Sequence, residues 1–175
     1  MGSKPSVRPY GSADLEAVIT LYIRSIREVS SRDYNPSQIN AWGQADRDLW
    51  NERRLSRPTW VAEIDQEIVG FTDLEPNGHL DMMYVHPSHQ NVGIATALLK
   101  TVEAAARRQG LRRIFTESSI TAKPFFERHG FRVLAEQMVE IRGQKLTNYQ
   151  MEKILSDFGL APCGTQPKDK LNVCR

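Results

Sequence analysis

The chain has 175 residues, and its 23 Lys and Arg nearly balance 21 Asp and Glu, which leaves a net charge of +2. Hydrophobic residues make up 40% and charged residues 25%, a composition typical of one globular domain. The near-neutral charge provides no extended basic surface, so nucleic-acid binding is not expected. The apolar runs are too short for a membrane span and the N-terminus has no apolar signal segment, so we expect a soluble, cytoplasmic protein.

The only two cysteines, Cys163 and Cys174, lie in a polar C-terminal segment. This placement predicts neither a disulfide framework nor a cysteine metal site, and we expect no bound metal. From residue 156 onward the chain contains Gly, Pro, Lys and Asp with little hydrophobic periodicity. We therefore predict one domain over residues 1–155 and a mobile tail over residues 156–175.

The first half of the chain has the patterns of one strand, three helices and three antiparallel strands. Ser12 is a capping residue before the first apolar helical stripe, and Asn35 followed by Pro36 marks the start of another helix. The predicted elements are a strand at 6–10, helices at 12–26, 36–42 and 46–55, and strands at 59–65, 68–74 and 79–85.

The second half opens with a long amphipathic helix from Gly93 that ends at Gly110. The later predicted elements are a strand at 113–118, a short helix at 122–128, and a hairpin of strands at 131–142 and 146–153. This order predicts an α+β domain with a mixed, mostly antiparallel sheet flanked by helices. One parallel crossover would join strand 79–85, through the long helix, to strand 113–118.

The loop before the long helix is the one place where the sequence indicates an anion site. Backbone amides at a helix N-terminus lack partners and carry the positive end of the helix dipole, which suits a pyrophosphate. Gly93 would allow close approach and Ala95 is small. On this physics alone an ordinary helix start is an equally good interpretation, and no P-loop or dinucleotide-binding glycine motif occurs.

Residues 84–95 resemble motif A of the GNAT superfamily of acyl-CoA-dependent N-acetyltransferases, whose signature is Arg/Gln-x-x-Gly-x-Gly/Ala after a strand end. Three further segments, 34–42, 119–131 and 139–148, resemble the YafP-like branch of bacterial GNAT proteins. The resemblance covers about residues 6–153. It implies the GNAT fold, with acetyl-CoA as cosubstrate.

In that family the CoA pyrophosphate lies on the motif loop and the pantetheine runs beside the preceding strand. The implied cofactor-binding residues are Met83, Tyr84, Val85, Gln90, Asn91, Val92, Gly93, Ile94, Ala95 and Thr96. Gln90 would brace the loop. The third motif position is often basic in the family but is Val92 here, so phosphate affinity is expected to depend on backbone amides and on Lys100 or nearby arginines.

Acyl transfer to an amine requires a base that frees the amine lone pair and an acid for the departing thiolate. His79 and Asp81 would share one face of the predicted strand, where other GNAT enzymes place a catalytic Glu or paired His. Asp81 is the first candidate base, His79 the second and Glu117 the third. A purely structural role is the alternative, with His79 at the strand start and Asp81 paired with an arginine.

The acid is harder to assign, because many family members place a Tyr where this chain has Phe126. A phenyl ring donates no proton, so Ser119, Tyr149 or water would serve, and Phe126 would pack in the core or line the thiol cavity.

Two other side-chain groups in the N-terminal third are open to alternative interpretations. The aromatic residues are core or part of an acceptor groove, and the arginines form a solvated helix face unless the acceptor is acidic. The aromatic residues are Tyr22, Tyr34, Trp42, Trp50 and Trp60, and the arginines are Arg47, Arg53, Arg54 and Arg57.

The sequence therefore predicts an N-acyltransferase that passes acetyl from acetyl-CoA to a primary amine by direct attack in a ternary complex. The alternative is a non-catalytic acyl-CoA-binding or protein-interaction module on the same fold. The identity of the amine is not specified by the sequence, and a homodimer remains open.

Overall fold

The computed structural model describes residues 4–155, so the predicted tail with both cysteines lies outside the described residues. The helices are α1 (Leu15–Glu28), α2 (Pro36–Trp42), α3 (Arg47–Leu55), α4 (Ile94–Arg108) and α5 (Lys123–Arg128). The strands are β1 (Ser6–Pro9), β2 (Thr59–Ile64), β3 (Glu67–Asp73), β4 (Met83–Val85), β5 (Arg113–Ser119), β6 (Arg132–Ile141) and β7 (Gln144–Ile154). The predicted α+β order of elements is confirmed.

The start of α2 shows why capping signals located the helices. The Asn35 side chain accepts a hydrogen bond from the Gln38 amide at 3.0 Å, and the Gln38 side chain accepts one from the Asn35 amide at 2.8 Å. This reciprocal capping box satisfies two amides that the helix leaves unpaired, and Pro36 contributes no amide of its own.

The strands form two sheets, one from each half of the described chain. The first has the order β1-β2-β3-β4 and is antiparallel throughout. The second has the order β5-β7-β6 and is also antiparallel. A single parallel bridge between His79 and Phe115 joins them, through bonds from Phe115 N to Gly78 O and from Leu80 N to Phe115 O. The predicted parallel crossover is therefore present, but its pairing is confined to this junction.

The long helices α1 and α4 cover opposite faces of the first sheet. Phe71 packs in a cluster with Tyr22 of α1 and Trp50 of α3. A Cβ placed on the neighbouring Gly70 would lie only 2.8 Å from the Ile94 side chain of α4. Because successive strand residues point to opposite faces, these contacts place α1 on one side and α4 on the other. Within the described residues, no helix has both the length and the apolar character needed to cross a bilayer.

The strand predicted at 79–85 is shorter in the structure, which was not foreseen. Only Met83–Val85 pairs with β3, because the Asp73 carboxylate accepts the Met82 amide at 2.8 Å and closes the ladder there. Upstream of that point, the backbone bonds to Phe115 of β5 instead. The chain thus passes from one sheet to the other between residues 78 and 83. The prediction that His79 and Asp81 lie on one face of a regular strand is wrong for this reason.

The arginines near α3 do not form one solvated face. Arg47 and Arg53 are exposed, whereas only 2% of the Arg54 surface is exposed and Arg57 is partly buried. Arg54 lies toward the sheet because it is four residues after the buried Trp50, on the same side of the helix. The expectation of a solvated face is therefore wrong for Arg54, whose guanidinium is buried beside carboxylates.

Candidate active site

A cleft of about 830 Å³ opens where β4 and β5 diverge beyond the His79–Phe115 junction. Its walls come from both strands, from the start of α4, from α5 and from the 3-10 turn at 30–32. Most of the predicted cofactor-binding residues lie along it. Those that line it are Met83, Tyr84, Val85, Gln90, Asn91, Gly93, Ile94, Ala95 and Thr96.

The loop before α4 presents backbone donors to this cleft. Gly93 has φ +88° and caps the helix, and the first helical bond runs from Ala97 N to Gly93 O at 3.0 Å. The amides of the three residues between them therefore have no partner within the helix. A Cβ on Gly93 would meet nothing within 4 Å, so the space beside these amides is open. The loop fits an anionic group such as a pyrophosphate.

The side chains around the loop differ in part from the expectation. Gln90 Nε2 donates to Val85 O at 2.9 Å, which ties the loop to the end of β4. Val92 is 57% exposed and does not line the cleft, and Lys100 is exposed on α4 away from it. Within residues 4–155, four basic side chains line it: Arg32 and His89, and, at the end of α5, Arg128 and His129.

Arg128 and His129 were not predicted from the sequence as phosphate ligands. His129 Nε2 lies 3.2 Å from Thr96 Oγ1 on α4, so the end of α5 directly contacts the first turn of that helix. Both residues fall within the segment 119–131 that resembles the family, and a basic pair there was the signal available. The contact between His129 and Thr96 could not be predicted from the sequence, because 32 residues lie between them.

The register of β4 decides which of its peptide groups face the cleft. His86 N bonds to Val69 O, and Asp73 N bonds to Met82 O. Antiparallel pairing alternates, so Tyr84, opposite Phe71, also directs its peptide groups toward β3. The amides of Met83 and Val85 point the other way, toward the gap between the sheets. An extended chain in the cleft can therefore hydrogen-bond to these two residues.

Asp81 lies at the inner end of the cleft against two arginines. Its Oδ2 is 3.3 Å from Arg54 Nη2 and 3.2 Å from Arg57 Nη1. Behind it, the fully buried Asp73 lies 3.1 Å from Arg54 Nη1. Arg54 thus bridges two carboxylates, and the arginine pairing of Asp81 that the sequence left open is present. Asp81 still lines the cleft, with 29% of its side chain exposed.

His79 and Glu117 form a close pair across the junction. His79 Nε2 lies 2.5 Å from Glu117 Oε2, and His79 Nδ1 lies 3.3 Å from Glu75 Oε2. Burial lowers the pKa of His79, but the hydrogen bond that its ring donates to Glu117 and the charges of Glu117, Asp81 and Glu75 outweigh burial and raise it overall. Glu117 lines the cleft and His79 lies behind it.

The structure also shows which of the candidate proton donors to the thiolate face the cleft. Phe126 is buried and lines the cleft, so its position agrees with a wall of the thiol cavity. Ser119 lines the cleft as well, and its Oγ accepts the Ala122 amide at 3.1 Å, which leaves its hydroxyl hydrogen available to a ligand. Tyr149 lies outside the cleft lining, with its ring 4.7 Å from Lys123 Nζ.

Residues 30–153 match the acetyltransferase (GNAT) domain family. The chain belongs to the GNAT acetyltransferase family. Among curated proteins, the uncharacterized N-acetyltransferase YafP of Escherichia coli strain K12 is 37% identical to this GNAT domain over 145 residues, which cover 83% of this chain and 93% of YafP. The protein is a YafP-like GNAT-type N-acetyltransferase.

Solved GNAT structures share the architecture. A GCN5-related N-acetyltransferase from Rhodopseudomonas palustris superposes with a TM-score of 0.85 at 30% identity, covering 89% of this chain and 98% of that one. The PaiA N-acetyltransferase of Thermoplasma acidophilum, solved with coenzyme A, gives a TM-score of 0.73 at 17% identity, covering 87% and 99%. The second match shows a common fold, and the GNAT fold expected from the sequence is confirmed.

Proposed function

We propose that the protein transfers the acetyl group of acetyl-CoA to a primary amine by direct attack while both substrates are bound. The observation that carries this proposal is one continuous cleft with three chemical parts. Unpaired helix amides lie at its outer end, outward-facing strand amides lie along its middle, and carboxylates lie at its inner end. These parts match the pyrophosphate, the pantetheine and the amine in that order.

Cofactor binding is assigned to the motif loop and β4. The amides of Ile94, Ala95 and Thr96 receive the pyrophosphate, with Gly93 leaving room for it. Arg128 supplies positive charge that Val92 does not, and His129 adds an imidazole beside the first turn of α4. The amides of Met83 and Val85 hold the extended pantetheine and bring the thioester carbonyl toward Glu117 and Asp81.

The base is assigned to the Glu117–His79 pair in preference to Asp81. Glu117 faces the cleft, and the His79 imidazole behind it shares the proton that the carboxylate takes from the ammonium. Asp81 lies against the Arg54 and Arg57 guanidinium groups, which fix its carboxylate at the inner end of the cleft, so we assign it the role of attracting and orienting the ammonium.

The freed amine nitrogen bonds to the thioester carbonyl carbon, and the carbon–sulfur bond then breaks. The attacking nitrogen loses its second proton, which passes through Ser119 or water to the departing thiolate, and the amide product keeps the acetyl group. We also predict that the protein carries out this reaction in the cytoplasm.

The test measures thiol release from acetyl-CoA with a panel of primary amines, together with calorimetric titration of CoA. We expect CoA binding, amine-dependent thiol release and double-reciprocal plots that intersect. Replacing Cys163 and Cys174 with Ser retains activity, because direct attack needs no cysteine. Binding of CoA without release for any amine would favour a non-catalytic acyl-CoA-binding module, and parallel plots with an inactive double-serine variant would indicate an acyl-enzyme.

A further inference from the structure

A second, smaller chamber of about 190 Å³ adjoins the inner end of the cleft. Five residues line both spaces, so the chamber and the cleft meet at the carboxylates. The shared residues are Trp42, Asp81, Tyr84, Glu117 and Ser119. The remaining walls come from the β6–β7 hairpin, from the loop that precedes α2 and from Met82 just before β4.

Hydrogen bonds tie residues 34–42, which include α2, to the β6–β7 hairpin on one side of the chamber. Tyr34 Oη donates to Thr147 O at 2.7 Å and accepts the Ile120 amide at 2.9 Å, so its hydroxyl is satisfied and its ring forms wall. Gln38 Nε2 donates to Lys145 O at 2.7 Å. Arg142 Nη1 donates to Ala41 O at 2.6 Å on the same side. These bonds hold the walls at a fixed separation around a small space.

The charge of the lining has one sign. Asp81 and Glu117 are its only ionisable acids or bases apart from tyrosine, and among the described residues no Lys, Arg or His lines it. Arg54 and Arg57 lie behind Asp81 and are paired with carboxylates. The other side chains are mostly aromatic or aliphatic: Tyr34, Trp42, Tyr84, Val139, Ile141 and Leu146.

Asn148 adds an acceptor that has no partner. Its Oδ1 is buried without a hydrogen bond, and the residue lines the chamber from β7, in register with Ser119 of β5. A buried acceptor without a partner is unfavourable, and a ligand N–H can supply the missing hydrogen bond. A carboxylate ligand offers no hydrogen to this atom and would lie against Asp81 and Glu117.

We propose that this chamber selects, as the acetyl acceptor, a small primary amine whose ammonium is carried on an uncharged apolar stem, with no acidic group on it. The inference rests on the proposed function and narrows its substrate class to alkylamines and arylalkylamines. The ammonium meets Asp81, Glu117 and Asn148 Oδ1, and the stem packs on the Trp42 ring and the aliphatic wall. Amino acids are excluded because their carboxylate finds no counter-charge.

The experiment compares pairs of acceptors that differ by one carboxylate. With acetyl-CoA fixed, we expect kcat/KM for 2-phenylethylamine to exceed that for phenylalanine at least tenfold, and the same for n-butylamine over 4-aminobutyrate. Equal values, or a preference for the amino acids, would overturn the inference while leaving acetyl transfer intact.

A matched pair of variants tests the chamber itself. Val139 lines it, whereas the preceding Met138 is 66% exposed on the other face of β6. Val139→Lys places a cation in the chamber and should reduce the preference for amines over amino acids about tenfold. Met138→Lys should leave that preference unchanged. An effect of equal size in both variants would overturn the assignment.

Binding separates this inference from the proposed function. If no amine is acetylated, the proposed function fails, and the indole resonance of Trp42 still reports on the chamber. A shift caused by 2-phenylethylamine, at concentrations where phenylalanine causes none, supports the selectivity without turnover. No shift with the amine, or a shift with phenylalanine alone, contradicts it.

Discussion

His79 Nε2 lies 2.5 Å from Glu117 Oε2, although 37 residues separate the two in sequence. One residue belongs to the segment that leaves the first sheet and the other to β5 of the second sheet. Their contact crosses the junction between the sheets at the inner end of the cleft. It couples the proton affinity of an imidazole to a carboxylate that a substrate can reach.

The first prediction concerns the pKa of His79. Because Glu117 raises it and burial lowers it, Glu117→Gln should lower the pKa, as measured by NMR titration of the imidazole. The raised value exceeds the unfolded value of about 6.5, so the protonated imidazole stabilises the fold fully below about pH 6.5. That contribution is lost as the pH rises through the folded-state pKa. The exposed Glu140→Gln is the control, and an equal change there would contradict the pairing.

The second prediction separates the roles of the two carboxylates at the inner end. Glu117→Gln should lower kcat at least about tenfold with little change in KM for acetyl-CoA, because it removes the proposed proton acceptor. Asp81→Asn should mainly raise KM for the amine. Initial rates over both substrate concentrations give these constants. The reverse pattern, with kcat lost in Asp81→Asn alone, would make Asp81 the base.

The third prediction tests the motif loop with two substitutions at Gly93, Asp and Asn, which have side chains of nearly the same size and shape but different charge. Gly93 has φ +88°, a conformation that Asn and Asp tolerate better than other side chains. Gly93→Asp adds a negative charge beside the helix amides, whereas Gly93→Asn adds the same bulk without charge. Calorimetry should show CoA affinity at least about tenfold weaker for Asp than for Asn. Equal affinities would mean that phosphate does not meet this loop.

The fourth prediction identifies the cations of the phosphate site. Arg128→Gln should weaken CoA binding several-fold and reduce its dependence on salt, because the side chain lines the cleft near the loop. Lys100→Gln is the matched control on exposed α4 surface and should leave affinity unchanged. If only the Lys100 variant lost CoA affinity, Lys100 would be the phosphate-binding cation, as the sequence had led us to expect.

The fifth prediction concerns the buried arginine. Arg54→Met leaves the buried Asp73 with only the longer 3.5 Å contact to Arg57, so the free energy of unfolding should fall by about 3 kcal/mol because the buried charge is less well compensated. Arg53→Met, on the exposed side of the same helix, should change that free energy by less than about 0.5 kcal/mol. Urea unfolding measures both, and similar values for the two would contradict a buried ion network.

Local signals in the sequence were sufficient for most of the fold. The Asn35-Pro36 start of α2 and the glycine before α4 are chemical rules that act within a few residues. Contacts between residues far apart in the chain could not be predicted from such local signals. The start of β4 at Met83 depends on the Asp73 carboxylate, ten residues earlier in the chain, which accepts the amide of the preceding residue, Met82.

The site was predictable to a similar degree. The motif loop and Asp81, His79 and Glu117 could be named from the sequence and from family resemblance. Their pairing could not, because it depends on the junction at Phe115. The burial of Arg54 was also hidden, since its neighbours Arg53 and Arg57 have the same charge and different surroundings.

The two-sheet arrangement has a consequence for folding. Within the described residues, each sheet draws its strands from one continuous stretch of chain, 6–85 and 113–154. Each can therefore form its own hydrogen-bond ladder before the other is in place. The groups that we propose as catalytic come from both stretches and meet only when those stretches dock. Loss of docking would disable the enzyme while leaving both ladders intact, so activity is a more sensitive indicator of an early unfolding step than circular dichroism.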